Sequence, residues 1–371
     1  MFASRNFLFA KSAAAGGATN KLFSWGYNGF GGLGLGNTTN YSSPKQVGAL
    51  INWAYPSISS TNTTLCNKTD GTLWAWGNGI SGVLGLGNTT SISSPVQVGS
   101  LATWGKPTVT GGNSSLCIKT DGTLWSWGDS YYGTTAQGNT INLSSPVQVG
   151  SLTNWSKLSQ STFYTILGVK TTGTLFAWGG NYFGQIGDGT TTVRSSPVQV
   201  GALTTWANPA VGRVHSLCVK TDGTLWTWGR NNHGQLGLGD TTNRSSPVQV
   251  GALTNWSKPT GGTYFSACVK TDGTLWTWGR NNQGQLGLGN TTNYSSPKQV
   301  GALTTWSYAK CGETTMAAVK TTGELWTWGA NNLGQLGQGD TVNRSSPVQV
   351  GSLNNWENPA AAGNAMLCST T

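Results

Sequence analysis

Short apolar runs of five or six residues recur along the chain, separated by stretches of Gly, Thr, Ser and Asn. In one copy they read Ser216-Leu217-Cys218-Val219-Lys220 and Thr224-Leu225-Trp226-Thr227-Trp228, flanking Thr221-Asp222-Gly223. Runs this short, rich in aliphatic and aromatic residues and bracketing a turn, predict a β-hairpin. The Gly-Gln-Leu-Gly-Leu-Gly and Ser-Ser-Pro-Val-Gln-Val-Gly stretches that follow are punctuated by glycine and proline. No helical period of 3.6 residues appears in the repeats.

Trp-Gly pairs begin at Trp25, Trp76, Trp127, Trp178, Trp228, Trp278 and Trp328, spaced by 51, 51, 51, 50, 50 and 50 residues. A second series, Trp53, Trp104, Trp155, Trp206, Trp256, Trp306 and Trp356, follows each pair by 28 residues. The extra residue of the longer copies falls between this second Trp and the next Lys, which marks a loop. A period near 50 with about four short strands per copy predicts an all-β, seven-bladed propeller, because one such sheet cannot bury both faces alone. Ala365–Thr370 matches the first hairpin strand and Lys21–Gly26 the second, so the ring is expected to close by pairing its N- and C-terminal strands. Residues 20–371 then form the propeller, and residues 1–19 an arm without a repeat counterpart. The remaining tryptophans, Trp74, Trp125, Trp226, Trp276 and Trp326, form a third series with Phe23 and Phe176. All three series are expected in the core or between blades, each large ring burying roughly 150–250 Å².

Composition narrows function. Charged residues are 9% of the chain, against about 25% in a typical soluble domain, a balance that points to virion, secreted or cell-surface proteins. The net charge of +10 invites a nucleic-acid partner. Against this, Lys68, Lys119, Lys170, Lys220, Lys270 and Lys320 recur singly, once per repeat, and are expected to be solvated turn residues rather than a basic patch. Of six cysteines, Cys66, Cys117, Cys218, Cys268 and Cys368 share one register, as small buried residues would, and Cys311 stands apart. Equivalent sites on different blades lie too far apart for a disulfide. With no Cys-x-x-Cys pair and no Cys/His cluster, neither a metal nor a cofactor is expected. His215 and His233 are the only histidines, and acids such as Asp70, Asp121, Asp222 and Asp272 occupy repeated turns. No general acid–base pair emerges, so a non-enzymatic role is expected. No run reaches the ~18 apolar residues of a membrane-spanning helix, and Lys11 interrupts Phe7-Leu8-Phe9-Ala10 before a secretory signal core forms.

The candidate binding residues are those that break the repeat after each Trp-Gly: Tyr27 and Phe30; Asp129, Tyr131 and Tyr132; Tyr182 and Phe183; Arg230 and His233; and Arg280. The third copy also replaces Gln-Leu-Gly-Leu-Gly with Thr134-Thr135-Ala136-Gln137-Gly138. Aromatics on one sector and arginines on the opposite one suit a protein interface or sugar stacking. In the arm, Phe2, Phe7, Leu8 and Phe9 are candidate anchors.

The unit Leu225-Trp226-Thr227-Trp228-Gly229-Arg230-Asn231-Asn232-His233-Gly234-Gln235-Leu236-Gly237-Leu238-Gly239, followed by Ser246-Pro247-Val248-Gln249-Val250, resembles the repeat of the regulator of chromosome condensation family over residues 20–371. The resemblance implies a seven-bladed propeller presenting loops on a stiff ring. Some members exchange nucleotide on a small GTPase and bind chromatin, and a bacterial relative inhibits β-lactamases. Exchange members often carry a Gly-His-Ser-His-Thr-like run before the first hairpin strand. Here those slots read Gly112-Asn113-Ser114-Ser115, Gly262-Thr263-Tyr264-Phe265 and Gly312-Glu313-Thr314-Thr315, so no exchange-factor residue is carried over. The leading expectation is a structural or binding propeller of a phage or virus particle, or a surface module, contacting protein or glycan through its loops. Residues 1–19 would dock it to other virion subunits. The alternative is an intracellular, cytoplasmic protein-binding regulator or inhibitor, either guanine-nucleotide-exchange-like or enzyme-inhibitor-like.

Overall fold

The computed structural model describes residues 20–159 and 163–371. Seven four-stranded antiparallel sheets form seven blades. Blades 1 to 6 run in chain order over residues 53–97, 104–148, 155–199, 206–249, 256–299 and 306–349. Blade 7 takes its two inner strands, Trp356–Ala362 and Ala365–Thr370, from the C-terminal end, and its two outer strands, Leu22–Gly26 and Tyr41–Gln46, from the N-terminal end. Phe23 pairs with Cys368 and Ser24 with Leu367, which closes the ring as the repeat predicts.

Each blade begins with the strand that opens on the second-series Trp. These first strands touch one another from blade 3 through blade 7, and from blade 7 through blade 1 to blade 2, so they line the axis. The joint between blades 2 and 3 differs. The inner strand of blade 3 is the short Trp155–Leu158, and among the described residues it meets blade 2 mainly through that blade's second strand, Ser114–Lys119, a contact that every joint shares. Every outer strand holds a proline, such as Pro247 in Arg244–Gln249, which an edge strand tolerates because its ladder lacks one side.

The core consists of layers between neighbouring blades. One layer joins Leu217, Val219 and Leu225 of blade 4 to Trp256, Cys268 and Trp278 of blade 5. In all seven blades the Trp-Gly indole donates its N–H, at 2.8–3.0 Å, to a backbone carbonyl in the long loop of the preceding blade. The indole thus buries a large apolar face and satisfies its one donor across the joint, stapling each blade to the last. All six cysteines are buried and free. Burial pushes the thiols of Cys117, Cys218, Cys268 and Cys311 up to about 12, so they serve as inert packing groups.

The six repeated lysines overturn the expectation of solvated turn residues. Lys68, Lys119, Lys220 and Lys270 are buried. Across all six, the ammonium lies 3.5–4.2 Å from the ring centroid of the third-series aromatic, Trp74, Trp125, Phe176, Trp226, Trp276 or Trp326. The second-series Trp lies on the other side, 5.1 Å away for Lys68 and Trp53. The reason is register: Trp206 sits directly opposite Lys220 in the ladder, so the stem is covered by indole and the charge meets two π faces. Burial holds the Lys119, Lys170 and Lys270 ammoniums below the usual lysine range.

Candidate functional site

Two faces result from this winding. One carries the tight Lys-Thr-Asp-Gly-Thr turns and the linkers between blades; there Asp222 Oδ1 accepts from the N–H and hydroxyl of Thr224 at 2.9 and 2.7 Å. These hydrogen bonds hold the Asp222 carboxyl below the usual range, and Asp70, Asp121 and Asp272 repeat the arrangement. The other face carries the long loops after Trp-Gly and the hairpins between first and second strands. The repeat-breaking residues sit on this loop face.

A buried asparagine organises most of the long loops. Asn231 Oδ1 accepts from the Leu236 N–H at 2.9 Å, while its Nδ2 donates to Asp240 O at 3.1 Å and Asp240 Oδ1 at 2.9 Å. Asn28, Asn181, Asn281 and Asn331 do the same in their blades. With the backbone fixed from within, neighbouring side chains are presented outward on a rigid base. These asparagines were not singled out from the sequence; their recurrence three residues after the Trp of five of the seven Trp-Gly pairs is the signal that would have found them.

Eight of the ten candidate loop residues fall into one belt across blades 2 to 5. Tyr132 is the hub on blade 2, with ring centroids 4.7 Å from Tyr131, 4.3 Å from Tyr164 and 5.7 Å from Tyr182. Its hydrogen bond with Tyr182, followed by burial, pushes the Tyr132 hydroxyl up to about 12. Asp129 accepts from the Tyr131 N–H at 2.8 Å and helps raise the Tyr164 hydroxyl, for which burial is the larger cause. Phe163 packs on Tyr164 at 4.0 Å, and the Arg213 guanidinium lies 4.6 Å from the Phe163 centroid. Further round, Arg230 lies 4.6 Å from Phe183 and 5.4 Å from Tyr264; Arg280 is 5.7 Å from the same Tyr264, and His233 5.1 Å. Burial, then Arg280 and Arg230, hold the His233 imidazole below its ordinary value.

The expected separation of aromatic and arginine sectors is therefore corrected. The two kinds interleave, because inner hairpins on blades 3, 4 and 5 supply Phe163, Tyr164, Arg213 and Tyr264 between the long loops. Sequence reasoning passed over these four as site residues. The signal lay in the Trp-to-Lys segment, whose length varies and whose blade 3 copy carries Phe163-Tyr164. Tyr27 and Phe30 lie apart on blade 7, the former half-buried and the latter exposed. Phe2, Phe7, Leu8 and Phe9 lie outside the described residues. Among the described residues, Arg194, Arg244 and Arg344 are ion-paired within their loops to Asp188, Asp240 and Asp340, whereas Arg213, Arg230 and Arg280 have no carboxylate in an ion pair. His215, the other histidine, is fully buried at the joint of blades 4 and 5, with Nε2 2.8 Å from Ser266 Oγ. Burial lowers its pKa to about 3. No cluster of metal-ligating side chains occurs among the described residues, and no helix is long and apolar enough to cross a membrane.

Comparison with known proteins places this geometry. Human E3 ubiquitin-protein ligase HERC2 is 30% identical over 197 residues, 52% of this chain and 4% of that protein. The ultraviolet-B receptor UVR8 of Arabidopsis thaliana is 32% identical over 181 residues, 48% of this chain and 41% of the receptor. The chain thus spans well under two thirds of these relatives, and no ligase or receptor chemistry is carried over. The X-linked retinitis pigmentosa GTPase regulator of Canis lupus familiaris is 39% identical over 35% of this chain and 13% of its own length. Two solved structures share the fold at a TM-score of 0.84. Human WBSCR16 is 21% identical, with 95% of this chain and 99% of that one covered. Saccharomyces cerevisiae Prp20p is 18% identical, with 96% and 92% covered, and its structure was reported with its binding properties to Gsp1p and histones.

These relatives overturn the particle-component reading, and nothing among them supports a virion or cell-surface placement or virion subunits or glycan as partners. The low charge that motivated that reading has a source inside the fold. Asn, Thr and Ser side chains replace charged groups because they hold the long loops and tight turns together. The Regulator of chromosome condensation (RCC1) repeat matches residues 19–60, 70–118, 172–219, 222–269, 272–319 and 322–366. The longest stretch between matches, 119–171, is the one that carries Tyr131, Tyr132, Phe163 and Tyr164. With six repeats matched around a closed seven-bladed ring, the chain belongs to the regulator of chromosome condensation repeat family.

Proposed function

We propose that this propeller is a non-enzymatic, intracellular protein-binding regulator that holds an acidic partner surface against the aromatic–arginine belt of blades 2 to 5. The carrying observation is the belt itself, in which three arginines without carboxylate partners lie stacked on phenylalanine and tyrosine rings. Tyr and Arg dominate binding hot spots because each offers large, stiff contact area with a polar end. Stacking fixes the guanidiniums before a partner arrives, so little side-chain freedom is lost on binding. The partner supplies the missing carboxylates in charge-assisted pairs. Prp20p, a solved relative of this fold, is described by its binding to Gsp1p and histones, which supports a regulator built on protein contact.

The test is quantitative crosslinking mass spectrometry with the full chain in cell extract. Wild type is compared with Tyr182→Ser/Arg230→Glu on the belt and with Leu253→Ser on the opposite face. Crosslinks from a reproducible partner, centred on the belt and lost at least about tenfold in the belt variant alone, are expected for a hot-spot pair. Equal loss in both variants, or crosslinks confined to the turn face, would refute the assignment.

A further inference from the structure

The axis of the ring holds charges that the loop-face belt does not use. One residue per blade, two after the inner-strand Trp, reaches toward the channel, and in blades 2, 3 and 5 it is Lys106, Lys157 and Lys258. In a chain with only 9% charged residues, three lysines in seven such slots concentrate charge that is elsewhere spread out. All three line a cavity of ≈ 720 Å³ beside the joint of blades 2 and 3, whose lining reaches the Thr120–Gly122 turn and Thr153 on the turn face. Tyr308, from blade 6, closes its far wall.

The groups that meet these ammoniums are neutral. Lys157 Nζ donates to Asn208 Oδ1 at 2.7 Å, Lys258 Nζ to the Ser307 carbonyl, and Lys106 Nζ lies 5.8 Å from the Tyr55 ring centroid. Neutral acceptors solvate an ammonium and leave its charge in place. Among the described residues the lining contains a single acid, Asp121, which is committed at the mouth to Thr123. Lys119 also lines the cavity, with its ammonium turned to the Trp125 ring. The charges act on one another across the channel. Lys106 is the main cause that lowers the Tyr308 hydroxyl, with Lys310 and Lys258 adding to it, and burial holds the Lys157 and Lys310 ammoniums low. Converging like charges in a partly desolvated space are mutually repulsive and stabilise an incoming anion.

We propose that the axial cavity is a binding site for a small multivalent oxyanion of the phosphate class, held by Lys106, Lys157 and Lys258 with the Tyr308 hydroxyl. The volume lies within the range of about 300–1,000 Å³ usual for small-molecule sites. Three flexible ammonium donors suit a ligand with several anionic oxygens rather than a single planar carboxylate, which arginine matches better. The site faces away from the belt, so its occupancy and partner binding are separable.

Isothermal titration of the full chain with tripolyphosphate, and separately with citrate, tests this at near-physiological salt. One-to-one saturable binding of tripolyphosphate is expected, weakened at least about tenfold in Lys106→Met/Lys258→Met by loss of two charge-assisted contacts. Binding should be unchanged in Lys45→Met/Lys298→Met on the outer strands and in Arg230→Glu on the belt. The ratio of the two affinities separates a phosphate source from a polycarboxylate source. Without ligand, the channel double variant should melt no lower than wild type, since its substitutions relieve repulsion. Lys157→Gln is the second variant, and should weaken tripolyphosphate severalfold if the double variant folds poorly. No saturable binding to wild type, or binding that the channel variants leave intact, would overturn the site.

Discussion

Blades 2 and 5 build the same four strands and solve the same loop by different chemistry. In blade 5 the buried Asn281 holds the loop with one amide, accepting from Leu286 N–H at 2.9 Å and donating to Asn290 O at 3.0 Å. Gly287, at φ +71°, lets the next blade's Trp328 approach. In blade 2 a hydroxyl relay takes over. Ser130 Oγ meets Thr135 Oγ1 at 2.6 Å, Thr134 Oγ1 donates to Asp129 O at 2.6 Å, and Ser114 Oγ donates to Thr134 Oγ1 at 2.7 Å. Ala136 stands in the glycine's place at φ +59°, and Trp178 still finds its carbonyl at Thr134, 3.0 Å away. The difference teaches that this loop must be tied down from within by buried hydrogen bonds but leaves open which side chains make them.

The largest break in the comparison should come from the single amide. Asn281→Ala leaves a buried N–H and a buried carbonyl unpaired and is expected to cost about 3 kcal/mol, whereas Ser130→Ala, inside a relay that re-pairs, should cost about 1 kcal/mol. Guanidinium unfolding of both variants checks the ratio. If the two costs are equal, the relay is as brittle as the amide.

A similar effect is expected at acid pH from the slot that opens the second strand, which is Ser114 in blade 2 and His215 in blade 4. The folded chain holds the His215 pKa at about 3 against an ordinary 6.5. The unfolded chain therefore takes up the proton first as pH falls. The stability contributed by the neutral imidazole is complete above pH 6.5 and is lost on the way down to pH 3. By pH 4 the loss should reach roughly 3 kcal/mol. His215→Ser, which installs blade 2's solution, should flatten the decline of stability between pH 6.5 and 4; an unchanged slope would remove His215 from the acid response. His233, also held low, adds a smaller term of the same sign.

The smallest effects exchange the glycine and the alanine. In Gly287→Ala the added carbon would sit 2.6 Å from Trp328 Nε1 at a positive φ, and a loss of about 2 kcal/mol is expected. Ala136→Gly relieves the same strain and should gain about 0.5 kcal/mol after the added freedom of the unfolded chain is set against it. A gain from Gly287→Ala would contradict the tight approach of the indole.

Ring, hairpins and clasp were legible in the sequence because each rests on a residue whose role repeats seven times; Trp25 and Trp228 bury alike and bond alike. The Lys–Trp stacks were missed because they depend on ladder register, which sets Trp206 opposite Lys220 and is not visible as spacing. The belt was half legible. Departures from the repeat marked Tyr132, Tyr182 and Arg230, but only the winding of the blades brings Tyr164, Arg213 and Tyr264 between them. The channel lysines were passed over because Lys106, Lys157 and Lys258 look like ordinary polar positions of an exposed strand until that strand proves to be the innermost.

The shared blade also sets an order of events. Within the ring, the outer half of blade 7 is made before the other blades and the strand it needs, Ala365–Thr370, after them. Throughout translation Leu22–Gly26 carries a bare edge able to capture any extended segment within reach. Until Ala365–Thr370 is in place the ring is an unclosed arc, with Leu325, Val350 and Trp25 of the final layer still waiting for Met366 and Cys368 to seal them.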